Sequence, residues 1–405
     1  FLEGLAARYA GRGLRVVAVV ADAASARGAA LHGAEVREQG ELRLAEARVV
    51  VPPSPRDYVA VIDADGDVLF RGAPGCGVED MLERALSGDW DPDDEGRAAS
   101  WRRQLVDSFD ELAGEATIAV LEPLAAACPR DGLLNGILYL TYATKANDPD
   151  AARRLRGRAA RAMSGSPRAL AVFADLALRG DPRRAEVWRD LRSALERAGE
   201  LAPTDPFVQR ALLRARIAGG DDRAAGRLAM QRREVMTATA HGCLDFASLL
   251  AGAETPMIYR DIAEQAVSRA AALGAEPRLL SAARYTVRLR CGEDVSGAGE
   301  VLQRYRAEQG EFYRLNSDAW RFLTQVGSMG RYDWFAAGLV DELLHGAEVL
   351  DYFELDTAAL AMFLVGRFQE AVDLQRAALR EGGQEEAAYR DRLVRYEASV
   401  APAPR

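Results

Sequence analysis

Leu355-Asp-Thr-Ala-Ala-Leu-Ala-Met-Phe-Leu-Val-Gly-Arg-Phe-Gln-Glu-Ala-Val-Asp-Leu-Gln-Arg-Ala-Ala-Leu379 reads as two helices joined at Gly366. Apolar residues recur at helical spacing on both sides of that glycine, and no strand-like alternation interrupts them. Ala359, Ala371 and Ala378 are small where two paired helices must approach closely, since a larger side chain would pry them apart. Phe368 stands just past the turn as a packing aromatic, and Gly330-Arg-Tyr332 anticipates Gly366-Arg-Phe368 by 36 residues.

The same punctuation extends over residues 100–398, where helical segments are cut at short intervals by Gly, Pro and Asp. Gly132–Leu140 pairs with Ala151–Met163, and Ala169–Leu178 with Arg184–Ala198. Pro203 closes a unit after Ala198; the next runs from Pro206, with Gly220 at its turn and Ala225 at its small position. This spacing resembles the 34-residue tetratricopeptide pattern, in which stacked helical hairpins bind partner proteins, here on a concave face. The resemblance predicts that Ala371 lies at a close helix contact with Phe368 buried beside it.

The N-terminal residues read differently. Phe1, Leu2, Leu5, Ala6, Tyr9 and Ala10 keep helical spacing up to Gly11 and Gly13. The strand-like run Leu14-Arg-Val-Val-Ala-Val-Val20 follows. After an irregular middle, Tyr58–Ile62 and Asp67–Arg71 flank the turn Asp63-Ala-Asp-Gly66, and Val78, Met81, Leu82, Ala85 and Leu86 mark a helix. This order resembles the thioredoxin superfamily, in its TlpA-type disulfide reductase and redoxin branch.

The resemblance implies a reactive C-x-x-C upstream of Phe1, at a helix N-terminus that stabilises a thiolate. It also implies a substrate-binding cis-proline at Asp57, for which Pro55 is the nearest equivalent. The strand before the reactive helix would be missing, leaving Leu14–Val20 and Tyr58–Ile62 roughly 9–10 Å apart across an open slot. The expected fold class is therefore α/β plus all-α: a partial thioredoxin-like sandwich followed by a tetratricopeptide-like array. Its domains would be 1–87, an acidic linker at 88–99, the repeats at 100–398 and a disordered tail at 399–405. The implied function is bacterial thiol–disulfide exchange with a protein-binding helical domain, in or near the cell envelope, the chain itself lacking its nucleophile. The alternatives are a redox-inactive interaction scaffold and a redoxin-type peroxidase.

Composition narrows this further. A net charge of −9 over 405 residues argues against nucleic acid as a partner, and no apolar run is long enough to span a membrane. Protein partners are expected, and no cofactor or metal. Cys76, Cys128, Cys243 and Cys291 are far apart and form neither C-x-x-C nor a zinc pair. They read as packed thiols, with Cys76, just before a helix, the one candidate redox thiol. His241-Gly-Cys243 with Asp245 offers the residue types of a triad, but within one short stretch it lacks triad geometry. The acidic stretch at Asp89–Asp94 reads as linker rather than a calcium loop. The run Ala151-Ala-Arg-Arg-Leu-Arg-Gly-Arg-Ala-Ala-Arg161 reads as a solvated helix face.

Overall fold

The computed structural model describes strands at 15–16, 47–50, 59–63 and 68–72, and residues 78 and 80–82. It also describes residues 115–400 except 147, 181–183, 254, 310–311, 326–327, 329, 347–349 and 383–386. The described residues from 115 onward are 84% helical and contain no strand, so the fold is all-helical and not a thioredoxin-type α/β sandwich.

The strands pair in the order β1 (Arg15–Val16), β2 (Ala47–Val50), β3 (Val59–Asp63), β4 (Val68–Gly72). The β3–β4 hairpin is the one expected from the Asp63–Gly66 turn. The expected open slot is not there: β2, from the stretch read as irregular, lies parallel to β1 and antiparallel to β3. Backbone groups that a missing strand would have left bare are thus paired from within the chain. A sandwich needs helices packed over a sheet, and the buried core described here belongs to helices packed on helices.

These helices are α1 (Glu115–Ala127), α2 (Gly132–Leu140), α3 (Pro149–Ala162), α4 (Pro167–Gly180), α5 (Arg184–Leu201) and α6 (Pro206–Ala218). There follow α7 (Asp222–Met236), α8 (Ala240–Ala251), α9 (Arg260–Ala272), α10 (Pro277–Cys291) and α11 (Val295–Gln309). The last five are α12 (Phe312–Thr324), α13 (Asp333–Gly346), α14 (Tyr352–Leu364), α15 (Phe368–Arg380) and α16 (Ala387–Val400). They form two compact units, one ending at Ala215 and one beginning at Arg216.

In the first unit α2 packs on α4 and α4 on α5. The α2–α4 approach is close because Gly132 and Gly136 have no side chain. A Cβ on Gly132 would lie 2.1 Å from the Ala169 carbonyl oxygen. Asp131 caps α2 by accepting from the Leu133 and Leu134 amides, and Asp80 holds the preceding turn by accepting from the Arg130 amide at 2.6 Å. In the second unit the hairpins are α8–α9, α10–α11, α12–α13 and α14–α15, with α16 against α15. Phe335 centres their core, with Tyr285, Tyr305 and Phe322 edge-on to it at 5.1–5.5 Å.

The turn glycines expected from the sequence take the left-handed backbone that favours glycine: Gly220, Gly330 and Gly366 have φ of +69°, +71° and +85°. Ala225, Ala359, Ala371 and Ala378 are fully buried. Phe368 departs from expectation, since 38% of it is exposed.

Ala371→Leu should lower the urea midpoint by the equivalent of about 1–3 kcal/mol, because the added atoms have no room at a fully buried contact. An unchanged midpoint would remove the close contact inferred for α14 and α15.

Candidate functional site

The residue types that most resembled a catalytic cluster turn out to be a strut. His241, Cys243 and Asp245 all lie on α8, and Cys243 stands apart from the other two, which meet at Arg331. Cys243 is fully buried and its Sγ donates to the Thr237 carbonyl at 3.2 Å. Asp245 pairs with Arg331 at 3.2 Å, and the same guanidinium reaches Nε2 of His241 at 3.2 Å. Arg331 and Asp245 are both buried, so the contact fixes α8 to the turn before α13.

Cys128 and Cys291 are likewise buried, and burial pushes the Cys291 thiol up to about 11. A protonated, enclosed thiol is a poor nucleophile. Among the described residues no three His, Cys, Asp or Glu side chains come together as a metal site. Cys76 and Pro55 lie outside the described residues, as do His32, Trp90 and Trp101.

The sequence reading missed a set of buried ion pairs. In α14, Asp356 accepts two hydrogen bonds from Arg392 of α16, at 2.9 and 2.7 Å, and one from Gln375 of α15, at 2.8 Å. All three side chains are buried, so the carboxylate clamps three helices at one point. Similar pairs recur with a buried carboxylate and a partly buried arginine: Arg168–Asp205, Arg214–Asp175 and Arg278–Asp318, at sequence separations of 37, 39 and 40. Asp356 and Arg392 are themselves 36 apart. The signal was present as acids and arginines recurring at about one hairpin length, but burial makes it visible.

Above the α14–α16 clamp opens a groove of about 410 Å³, lined by Gly366, Arg367, Phe368, Gln369, Glu370, Ser399 and Val400. Phe368 packs on the half-buried Phe363 at 5.6 Å, and Phe363 stacks on the buried Tyr396 at 4.5 Å. Arg395 lies over both Phe363 and Tyr396. On the rim, Arg367 is held by Asp341 and Glu370. The result is a shallow, open depression in which the exposed Phe368 ring lies among Arg367, Gln369, Glu370 and Ser399.

The inner helices offer less surface. In α2 every residue but Leu133 is buried, in α8 all from Gly242 to Ala251, and in α14 all from Leu355 to Met362. The concave docking face expected from the repeat resemblance is therefore not an open one along these helices. The exposed apolar side chains, Met230, Met257, Ile258, Phe368 and Val394 among them, lie elsewhere.

Removing one partner from the Asp356 clamp should be costly. Asp356→Leu removes the carboxylate that takes two hydrogen bonds from the buried Arg392 guanidinium and one from Gln375, with an expected loss of about 3–5 kcal/mol in urea unfolding. Asp356→Leu with Arg392→Met should recover most of it. A single-variant loss below about 1 kcal/mol would mean the pair is solvated in solution. The buried thiols should stay silent to Ellman's reagent at pH 8 in the native chain and react only on unfolding. Rapid native labelling of Cys291 would overturn the assigned enclosure.

No protein-family model matches the chain and no curated protein matches it, which leaves its own geometry as the ground for its function.

Proposed function

We propose that the chain is a protein-interaction scaffold built from tetratricopeptide-like helical hairpins, with the groove beside Phe368 as a docking point for a segment of a partner protein. The observation that carries this reading is an aromatic ring, Phe368, 38% exposed and packed on the half-buried Phe363, which in turn stacks on the buried Tyr396. Exposed aromatic anchors on preorganised surfaces are what interfaces exploit, since little ordering entropy is lost on binding. Helical-hairpin arrays supply such surfaces because each hairpin is fixed by its neighbours.

Thiol–disulfide exchange, implied by the thioredoxin resemblance, draws no support from the described residues, whose three cysteines are buried. The scaffold reading asks for no nucleophile and accounts for the buried polar groups as structural ties.

A photo-reactive phenylalanine analogue at position 368, expressed in the source cells, should yield discrete adducts with few proteins. Phe368→Glu should abolish co-purification of those same proteins while leaving the thermal midpoint within a few degrees. Adducts no more discrete than those from a probe at Val394, on another exposed face, would sink the proposed docking point.

A further inference from the structure

The arginine run of α3, read from sequence as one solvated face, is divided by the structure into two groups. Arg156 is only 2% exposed; it donates to Tyr139 Oη at 3.2 Å and to Glu186 of α5 at 3.0 Å, and also bonds Asp190. Arg153 bonds Asp150 at 2.9 Å and approaches Glu186 at 3.6 Å. These two arginines fasten α3 to α5.

Arg154, Arg158 and Arg161 do none of this. They sit at i, i+4 and i+7, so they share the opposite face of α3. All three are exposed, and none forms an ion pair among the described residues. Their Cα atoms rise by about 6 and 4.5 Å along the helix axis. Gly157 lies beside them, and the space its missing side chain leaves is bordered by the Arg161 guanidinium, 3.6 Å from where a Cβ would be. The acid nearest this face on α3, Asp150, is already engaged by Arg153. In a chain of net charge −9, three exposed guanidinium groups that form no ion pair among the described residues give this face a local field opposite to that of the molecule, tempered where Arg158 acts on Tyr142, whose hydroxyl is bonded to Glu122.

We infer that this strip docks an acidic segment of a partner protein, which deepens the scaffold reading and rests on it. The spacing fits carboxylates at i, i+4 and i+7 of a helix, or at alternate residues of an extended segment, about 6–7 Å apart. Guanidinium pairs with carboxylate through two parallel N–H donors, which gives orientation as well as attraction. A long polyanion fits poorly. Three phosphate contacts carry little affinity at physiological salt, and the acids Glu186 and Asp190 lie across α3 on α5.

The probe is a fluorescein-labelled twelve-residue helical peptide with Glu at positions 2, 6 and 9, titrated with the full chain by anisotropy. Its Gln counterpart, a dT12 oligonucleotide and phosphatidylserine vesicles serve as comparisons. The expected result is saturable binding of the Glu peptide, weakened at least about tenfold by R154Q/R158Q/R161Q and largely lost at about 0.5 M salt. Arg158→Gln alone should weaken it about two- to five-fold, which keeps the test intact if the triple variant unfolds. Binding unaltered by these substitutions, or equal for the Gln peptide, dT12 or the vesicles, would overturn the proposal. Phe368→Glu should leave peptide binding unchanged. Loss of the position-368 adducts with peptide binding retained would therefore fault the groove and not the strip, and the converse would fault the strip alone.

Discussion

Successive hairpins in this protein are held together by buried arginine–carboxylate pairs whose members lie about one hairpin length apart in sequence. Arg168–Asp205 and Arg214–Asp175 run in both directions between α4 and α6, and Arg392–Asp356 closes the C-terminal end. Such a pair is costly to desolvate and gains little net stability over a hydrophobic replacement. Its effect is to make one register far better than its neighbours, because a shift of one residue would leave two charges buried and unpaired. That matters where stacked helices rich in alanine present few other features to choose between alignments. At Asp205 burial alone would raise the carboxyl, but the Arg168 guanidinium and the Val208 amide hold it below the usual carboxylate range. That contribution is present at neutral pH and is lost as the pH falls through the lowered value.

The same ties account for several described residues of chemically active types. His241, Asp245 and Arg331 meet because α8 and the turn before α13 must be joined. Tyr305 donates to Asp318 at 2.5 Å for a like reason, and burial followed by that carboxylate raises its phenol well above the ordinary range. Perturbed groups of this kind mark either an active site or a buried structural tie. Asp245, Arg331, Tyr305 and Asp318 are buried, which favours the latter for them. The proposed docking features are instead on exposed surface: Phe368 and the guanidinium face of α3.

Two readings of the sequence failed for physical reasons that can be named. The open slot expected between Leu14–Val20 and Tyr58–Ile62 is filled by Ala47–Val50, parallel to Arg15–Val16 and antiparallel to Val59–Asp63. Strand propensity reports a preference for a half-buried pleated surface, and it cannot say which segment pairs with which. Ala47–Val50 took the place assigned to a missing strand, although nothing in its flanks announced a turn. Phe368 was expected to be buried because the repeat pattern puts a packing aromatic there. It is half out because Phe363 and Tyr396 already fill the space beneath it.

By itself the sequence determined the helical-hairpin architecture from about residue 115 onward, its turns at Gly220, Gly330 and Gly366, and its small contact residues. These follow from local rules: a period of 3.6, a left-handed turn that favours glycine, and close helix approach that requires alanine. Tertiary structure alone decided which arginines are structural and which are free. Arg154 and Arg156 are two residues apart in the same run, and nothing local distinguishes their side chains. Arg156 faces the carboxylates of α5 and is buried, whereas Arg154 faces water. Charge partners come from segments some 30–40 residues away, and only packing brings them within reach.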